Sequence, residues 1–156
     1  MSIANKIIPL LLILLLSVAC GSLKKQADDG YAMPLMIGNK KIYVEKVDTK
    51  EKMTKGLSGR EKLKENQGML FDFNREFPKG TTVGFWMKEM KFDLDLIWIN
   101  DRKIIAIESD VPAPKSPGDS LPLYYPPSMI DMVLEVNAGW SKENDVKIGD
   151  EVKFEN

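Results

Sequence analysis

The sequence contains no histidine and only one cysteine, Cys20. Without histidine, the Ser-His-Asp and Cys-His forms of nucleophilic catalysis are excluded, and so are zinc sites built from histidine and cysteine. A single cysteine also excludes a disulfide within the chain. The enzymatic chemistry that remains is that of paired carboxylates, a Ser-Lys pair or a hard cation held by oxygen ligands. The composition therefore favours a binding module over an enzyme, and we predict no cofactor and no metal.

Residues 1–19 have the layout of a secretory signal peptide. Lys6 is followed by an apolar run from Ile7 to Leu16 and then by the small residues Ser17 and Ala19. This is the order of charged start, hydrophobic region and cleavage site that marks such signals. The alternative is a retained membrane helix, but the run is shorter than the roughly 17 to 25 apolar residues that a span requires. We therefore predict that this segment is removed.

Cys20 directly follows this signal. The segment 16–20 resembles a bacterial lipobox, in which the thiol is acylated, the chain is cut before the cysteine, and the new amino terminus is acylated too. Two or more acyl chains anchor a protein stably where one is marginal. Residues 20–32 are mostly polar, which is typical of a flexible tether, and residues 33–156 are left as one globular domain. The predicted location is a membrane surface of the bacterial cell envelope, facing the periplasm or the exterior.

The charge is close to balanced, with 22 basic and 23 acidic residues, and Lys6 would be lost with the signal. The two signs are interspersed, as on an ordinary solvated surface. A basic stripe of the kind that binds nucleic acid is absent from the sequence, so we expect no nucleic-acid partner. The expected partners are the membrane, through the lipid, and a small anionic or sugar ligand or another envelope protein.

The domain sequence consists mainly of short strand-like segments. Two apolar runs on either side of Gly38-Asn39 predict a hairpin, and a two-turn helix is predicted from Lys50 to Lys55, capped by Asp48 or Thr49 and ended by Gly56. Further strands are predicted at residues 68–73, 82–87, 94–100, 104–107, 130–138 and 151–154, and a second short helix at 140–146 with Ser141 as its cap. The sequence thus predicts a mainly β or α+β fold, a compact single domain of about seven short strands with one or two short helices.

Residues 111–127 contain six prolines. Proline lacks a backbone N–H and fixes φ, so this segment cannot form a regular ladder. Because proline also lowers the conformational entropy that is lost on ordering, we predict a long ordered loop that packs on the domain.

Five motifs follow one another along the domain: Gly56-Leu57 with Arg60; Gly68-Met69-Leu70-Phe71; Phe85-Trp86-Met87-Lys88; Leu94-Asp95; and Leu134 to Gly139 followed by Ile148-Gly149-Asp150. Together they resemble a bacterial and archaeal family, the domain of unknown function 192, over roughly residues 36–154. The resemblance implies a compact β-rich domain, commonly exported, with no established activity. The chain has Glu89 where members usually carry asparagine and Phe92-Asp93 where they carry proline. It also lacks two cysteines that many exported members have in the loop 111–125.

Five side chains of these motifs are candidate ligand-binding residues: Arg60, Trp86, Lys88, Asp95 and Glu135. A cation recognises carboxylate or phosphate, an indole ring stacks on a sugar, and a carboxylate accepts hydrogen bonds from hydroxyls. The same residues also suit a structural role, as a buried charge network that sets strand register. Trp86 and Lys88 are two apart in a predicted strand and so share a face. We predict a groove lined by Arg60, Trp86, Lys88 and Asp95 and rimmed by the proline-rich loop.

Two other functions remain open from the sequence. Asp95 and Glu135 could be the carboxylate pair of a hydrolase acting on cell-wall glycan, which requires a separation of roughly 5 to 9.5 Å. Met87 and Met90, beside Trp86, could bind Cu(I) through their thioethers, although methionine more often fills gaps in a core. The leading hypothesis is a lipid-anchored, non-enzymatic binding module of the cell envelope.

Overall fold

The computed structural model describes residues 30–78 and 80–155. They form β1 (Met33–Ile37), β2 (Lys40–Val47), α1 (Lys50–Lys55), β3 (Gln67–Asp72), β4 (Leu94–Asn100), β5 (Lys103–Val111), β6 (Met132–Asn137), α2 (Trp140–Glu143) and β7 (Val152–Phe154). The strands make one curled sheet in the order β5-β4-β6-β3-β2-β1-β7. The predicted β-rich domain of seven strands and two short helices is thereby confirmed. The predicted signal peptide and Cys20 lie outside the described residues.

The sheet is antiparallel except for β2 and β3, which run parallel. A parallel pair needs a crossover connection, and α1 with the loop that follows it supplies this crossover. The two edge strands meet, because Lys103 and Glu151 form an isolated bridge and the Ile104 N–H donates to the Asp150 carbonyl at 3.0 Å. Within residues 30–78 and 80–155, no helix is both long and apolar enough to cross a bilayer.

Each face of the sheet carries its own apolar cluster, because successive side chains of a strand point to opposite sides. On the Trp140 face, Leu70, Ile97 and Leu134 pack against Trp140 of α2. On the Phe85 face, apolar side chains of the strands pack against the segment 83–92 and the loop after α1. These strand residues include Met69, Phe71, Leu96, Trp98 and Val133. The site described below lies on the Phe85 face.

The first hairpin and the first helix are confirmed. β1 pairs with β2 around Gly38, and the Thr49 hydroxyl caps α1 by accepting from the Lys52 N–H at 3.4 Å. Gly56 ends the helix with φ 47, a conformation that glycine adopts at low cost. The turn and capping residues of this region therefore suffice to predict its hairpin and helix from the local sequence.

The predicted strand 82–87 is wrong. Only Phe85 of this segment pairs, in an isolated bridge with Tyr124. In an antiparallel ladder the next pairs to exchange hydrogen bonds lie two residues away on each side, and on the partner segment those positions are Pro122 and Pro126. Because neither proline has an N–H to donate, the ladder cannot extend.

The proline-rich segment 111–127 is attached at both ends. Val111 is buried in the Phe85 face, the Ala113 N–H donates to Asp93 Oδ1 at 2.8 Å, and Tyr124 packs against the same face. The residues from Lys115 to Leu123 are exposed. The loop therefore packs on the domain at its ends and is solvated in the middle.

The packed domain begins before residue 33. Tyr31, which we predicted to belong to the flexible tether, packs partly buried against the Phe85 face, and its hydroxyl accepts a hydrogen bond from the Arg60 guanidinium. The described part of the predicted tether thus includes an anchoring side chain.

Candidate functional site

The strand register separates the two acidic site candidates. Asp95 pairs with Val136, whereas Glu135 pairs with Leu96. Directly paired residues project to the same side of a sheet, and neighbouring residues along a strand project to opposite sides. Asp95 therefore lies on the Trp140 face and Glu135 on the Phe85 face. The glycan-hydrolase hypothesis is wrong in this form, because the two carboxyl groups do not share a cleft.

Asp95 serves the fold. Its side chain is fully buried, and its carboxyl accepts three backbone hydrogen bonds, from Asp110 at 3.0 Å, Gly139 at 3.0 Å and Ser141 at 2.9 Å. Two of these N–H groups belong to the first turn of α2, which has no capping side chain of its own. Ser141, which we predicted to cap this helix, is inside it. Asp95 caps the helix from β4, and the predicted groove containing Asp95 and Arg60 together is wrong.

On the Phe85 face, a cavity of about 210 Å³ lies over the sheet. Its aromatic walls are Phe71, Phe73, Phe77, Phe85 and Trp86, and its single acidic residue is Glu135. An apolar cavity of about 150 Å³ is large enough to admit benzene. This cavity therefore has room for a small organic molecule.

Glu135 is the one ionisable residue of β6, and its side chain points to the Phe85 face. It is 6% exposed, and among residues 30–78 and 80–155 no group donates a hydrogen bond to its carboxyl. Burial raises the pKa of Glu135 to about 8, and the nearby Arg60 charge only partly opposes this rise. The acid is therefore mostly protonated at neutral pH, and its carboxyl is available to a ligand.

Arg60 lies close to the cavity but is already paired. Its Nη2 is 2.7 Å from Oε2 of Glu45, with both side chains about 30% exposed, and it also donates to Tyr31. Desolvation lowers the pKa of Arg60, but the hydrogen bond and charge of Glu45 outweigh it, so that the pKa is raised. Glu45, Met69 and Glu135 lie in one row across β2, β3 and β6. Arg60 thus acts on Glu135 through its charge.

Trp86 and Lys88 form the rim. Trp86 lines the cavity and keeps 48% of its surface exposed, so the cavity reaches solvent at this residue. Lys88 Nζ is 5.6 Å from the centroid of the Trp86 ring, a cation–π distance. The predicted proximity of the indole and the cation is present, although no regular strand produces it. Of the five candidates, the structure brings Trp86 and Glu135 into one cavity, with Arg60 and Lys88 beside it and Asp95 on the other face.

The structure explains one departure from the family motifs, at Glu89, and the packing of the two methionines beside it. Glu89 has φ 57, in the left-handed region that asparagine adopts more readily than glutamate. The asparagine usual at this position therefore suits the turn, whose Glu89 carbonyl accepts from the Gly59 N–H at 2.9 Å. Met87 and Met90 are both buried in the Phe85 face, where thioethers fill the core. This packing does not favour the Cu(I) hypothesis.

Apart from Trp86, the aromatic walls of the cavity were not predicted from the sequence. Met69, Phe71 and Phe73 alternate along β3 and beyond it, so they share one face, and this alternation is the signal that could have identified one wall. Phe85 connects the walls, with its ring centroid 5.0 Å from that of Phe71 and 6.2 Å from that of Phe73. In the part of the chain that the structure describes, no group of three acidic, histidine or cysteine side chains could hold a metal ion.

Comparison with known proteins gives one family and two structures. Residues 34–154 match the model of DUF192, described as an uncharacterized ACR family. One similar crystal structure is that of a "putative transcription regulator" from Sinorhizobium meliloti 1021, with 27% identity, a TM-score of 0.65, and coverage of 78% of this chain and 91% of that one. Another, a protein of unknown function from Novosphingobium aromaticivorans DSM 12444, has 26% identity and a TM-score of 0.65, covering 77% of this chain and 83% of that one. No curated protein matches the sequence.

Proposed function

Because the chain belongs to the DUF192 family, for which the family description gives no activity, we propose from its site that it is a non-enzymatic small-molecule binding module, held on the cell envelope by a lipid on Cys20. The observation that supports binding is a buried carboxyl, Glu135, that no described residue satisfies by a hydrogen bond and that faces an aromatic cavity. Because Glu135 lines the cavity, its carboxyl faces the space that a ligand would fill. A ligand in this cavity would provide a hydrogen-bond partner.

The geometry favours a ligand with a compact apolar body and a hydrogen-bond donor. The aromatic walls would contact the apolar part, and the Glu135 carboxyl can accept from a hydroxyl or N–H. An anionic ligand would place a second negative charge beside Glu135 once that group ionises, which costs free energy in a buried site. The proposed ligand is therefore neutral or cationic, in place of the anionic or sugar ligand that the sequence motifs suggested.

The envelope location rests on the sequence of residues 1–20. We propose that acylated Cys20 holds the domain through a short connection, because the chain from Cys20 to Gly30 spans at most about 35 Å when extended. Tyr31 then fixes the domain end of this connection to the Phe85 face. The cavity would thus be presented close to the membrane surface.

Cys20→Ser is expected to release the protein from the membrane into the soluble envelope fraction without unfolding it. The reason is that anchoring depends on acyl chains, and serine cannot form the thioether. Membrane fractionation of cells followed by immunoblotting measures the distribution, with Ser22→Ala as the matched control that should stay membrane-bound. Retention of Cys20→Ser in membranes after a high-salt wash would contradict the lipid anchor.

Benzyl alcohol is expected to bind in the cavity, because its ring matches the aromatic walls and its hydroxyl can donate to Glu135. The measurement is NMR of protein carrying carbon-13 methyl labels on methionine. Met53 and Met90 line the cavity, so their methyl signals should shift in a saturable way. Met132 on the Trp140 face should not shift.

A filled cavity provides the control. Met53→Trp adds bulk at the wall and should abolish the shift of Met90, whereas Met129→Trp, at a position 68% exposed, should not. A shift of Met90 that survives Met53→Trp unchanged, or no saturable shift in the unsubstituted protein, would contradict the proposed binding function.

A further inference from the structure

We propose that the cavity takes a small organic ammonium cation, with the carboxylate of Glu135 as its counter-ion and the aromatic walls around its alkyl groups. This inference rests on the proposed binding function and names the chemical class of the ligand. It follows from which polar groups at the cavity are already paired and which are not.

Two hydroxyls of the cavity wall and the guanidinium beside it are committed elsewhere. The Ser58 hydroxyl donates to the Lys88 carbonyl at 2.8 Å, and the Thr54 hydroxyl donates to the Lys50 carbonyl at 2.7 Å. Arg60 is held by Glu45 and Tyr31. The Glu135 carboxyl, in contrast, accepts nothing from the described residues. Once Glu135 is ionised, its carboxylate is a buried acceptor at the cavity, so the ionised site favours a ligand that brings positive charge or donors.

The aromatic walls add a reason to prefer a cation over a neutral donor. Rings attract a cation over their faces, and cages of aromatic rings are a known means of binding quaternary ammonium groups. Five aromatic side chains line this cavity. The Lys88 ammonium already lies 5.6 Å from the Trp86 centroid, which leaves the four phenylalanine rings for a ligand cation. In a poorly solvated site, attraction between an ammonium and a carboxylate is also stronger than in water.

Other titratable groups near Glu135 do not reverse this preference. Glu45 of β2 balances the charge of Arg60, and the Tyr31 hydroxyl accepts from Arg60. Lys55 of α1 lines the cavity but is exposed, so water screens its charge. Glu135 is the buried group whose ionisation changes when a cation enters.

This arrangement couples binding to pH. A cation requires Glu135 ionised, but the pKa of the unoccupied group is about 8. Choline has a charge that does not change with pH, so its affinity should follow the ionised fraction of Glu135. We expect the dissociation constant to be about 100-fold larger at pH 6 than at pH 9, because only about 1% of the carboxyl is ionised at the lower pH. Binding at pH 7 should release close to one proton.

The decisive experiment compares choline with its neutral isostere, 3,3-dimethylbutan-1-ol, and with the anion 3,3-dimethylbutanoate. These three share a tert-butyl-like body and differ in charge. At pH 9, the methionine NMR titration at Met53 and Met90 should show choline binding at least about tenfold more tightly than the alcohol, and the anion more weakly than both. Glu135→Gln should remove the advantage of choline and leave the alcohol unaffected. Glu89→Gln, the same change at an exposed position outside the cavity, should leave the preference intact.

The results separate the two proposals. If the alcohol, or benzyl alcohol, binds but choline has no advantage at pH 9, the cation proposal is overturned and the binding function stands. If no compound shifts Met53 or Met90, both fail. The pH profile of the unsubstituted protein is a second measurement that needs no variant, and a choline affinity that is constant between pH 6 and pH 9 would overturn the role of Glu135.

Discussion

Replacing Glu135 with glutamine is expected to raise the free energy of unfolding by up to about 5 kcal/mol at pH 9 and by only about 1 kcal/mol at pH 5. The pKa of Glu135 is about 8 in the folded protein, against an ordinary value of 4.5. Between these values the folded state binds one more proton than the unfolded state. The unfolding free energy of the natural chain therefore falls as pH rises from about 4.5 to 8 and is constant above it. Glutamine has nearly the same shape and does not titrate, so its variant escapes this loss.

Urea denaturation at pH 5, 7 and 9 measures this effect as a difference between the two proteins, so that all other titrating groups cancel. Glu89→Gln is the matched control, since Glu89 is exposed and the same substitution there should give a small difference that does not depend on pH. A constant difference between Glu135→Gln and the natural chain across this range would show that burial does not perturb Glu135.

Asp95→Ala should destabilise the domain by about 2 to 5 kcal/mol, because three backbone N–H groups lose their acceptor, one of them buried and two partly buried, and a buried unpaired group costs roughly 1 to 3 kcal/mol. These groups belong to Asp110, Gly139 and Ser141. The loss should be accompanied by fraying at the start of α2, seen as faster amide hydrogen exchange at Gly139 and Ser141.

Asp93→Ala is the matched control for this substitution. Asp93 is two residues away, exposed, and accepts one backbone hydrogen bond, from Ala113. Its loss should cost about 1 kcal/mol. Equal effects of the two substitutions would contradict the capping role of Asp95. Because Asp95 lies on the opposite face of the sheet from the cavity, Asp95→Asn, which keeps one oxygen acceptor, should leave the binding of benzyl alcohol unchanged.

Much of the fold follows from local sequence. The turn at Gly38-Asn39, the cap at Thr49 and the stop at Gly56 depend on neighbouring residues, and each was predictable. The segment 82–87 was not, because its pairing depends on Pro122 and Pro126, nearly forty residues away along the chain. The start of α2 was similarly misread, because its capping group comes from Asp95 of β4 and no nearby side chain supplies it.

The site was harder to predict, since it depends on strand register. Arg60, Trp86, Lys88 and Glu135 were recognised as motif residues, but nothing in their spacing shows which face of the sheet each occupies. Asp95 and Glu135 look alike in the sequence, and a single step in the pairing of β4 with β6 sends them to opposite faces. Whether a glutamate is buried and unpaired depends equally on what packs over it, here the segment that carries Phe85.

The pairing of β1 with β7 has a consequence for when the chain can fold. Leu35 pairs with Phe154, so the sheet closes only after residue 154 is available. Contacts that join such distant positions make folding slow, because a long loop must close before they form. During synthesis the domain should therefore stay incompletely folded until residues 152–154 have left the ribosome. For a chain that carries an export signal, as proposed here, this delay would keep it unfolded and competent for translocation across the membrane.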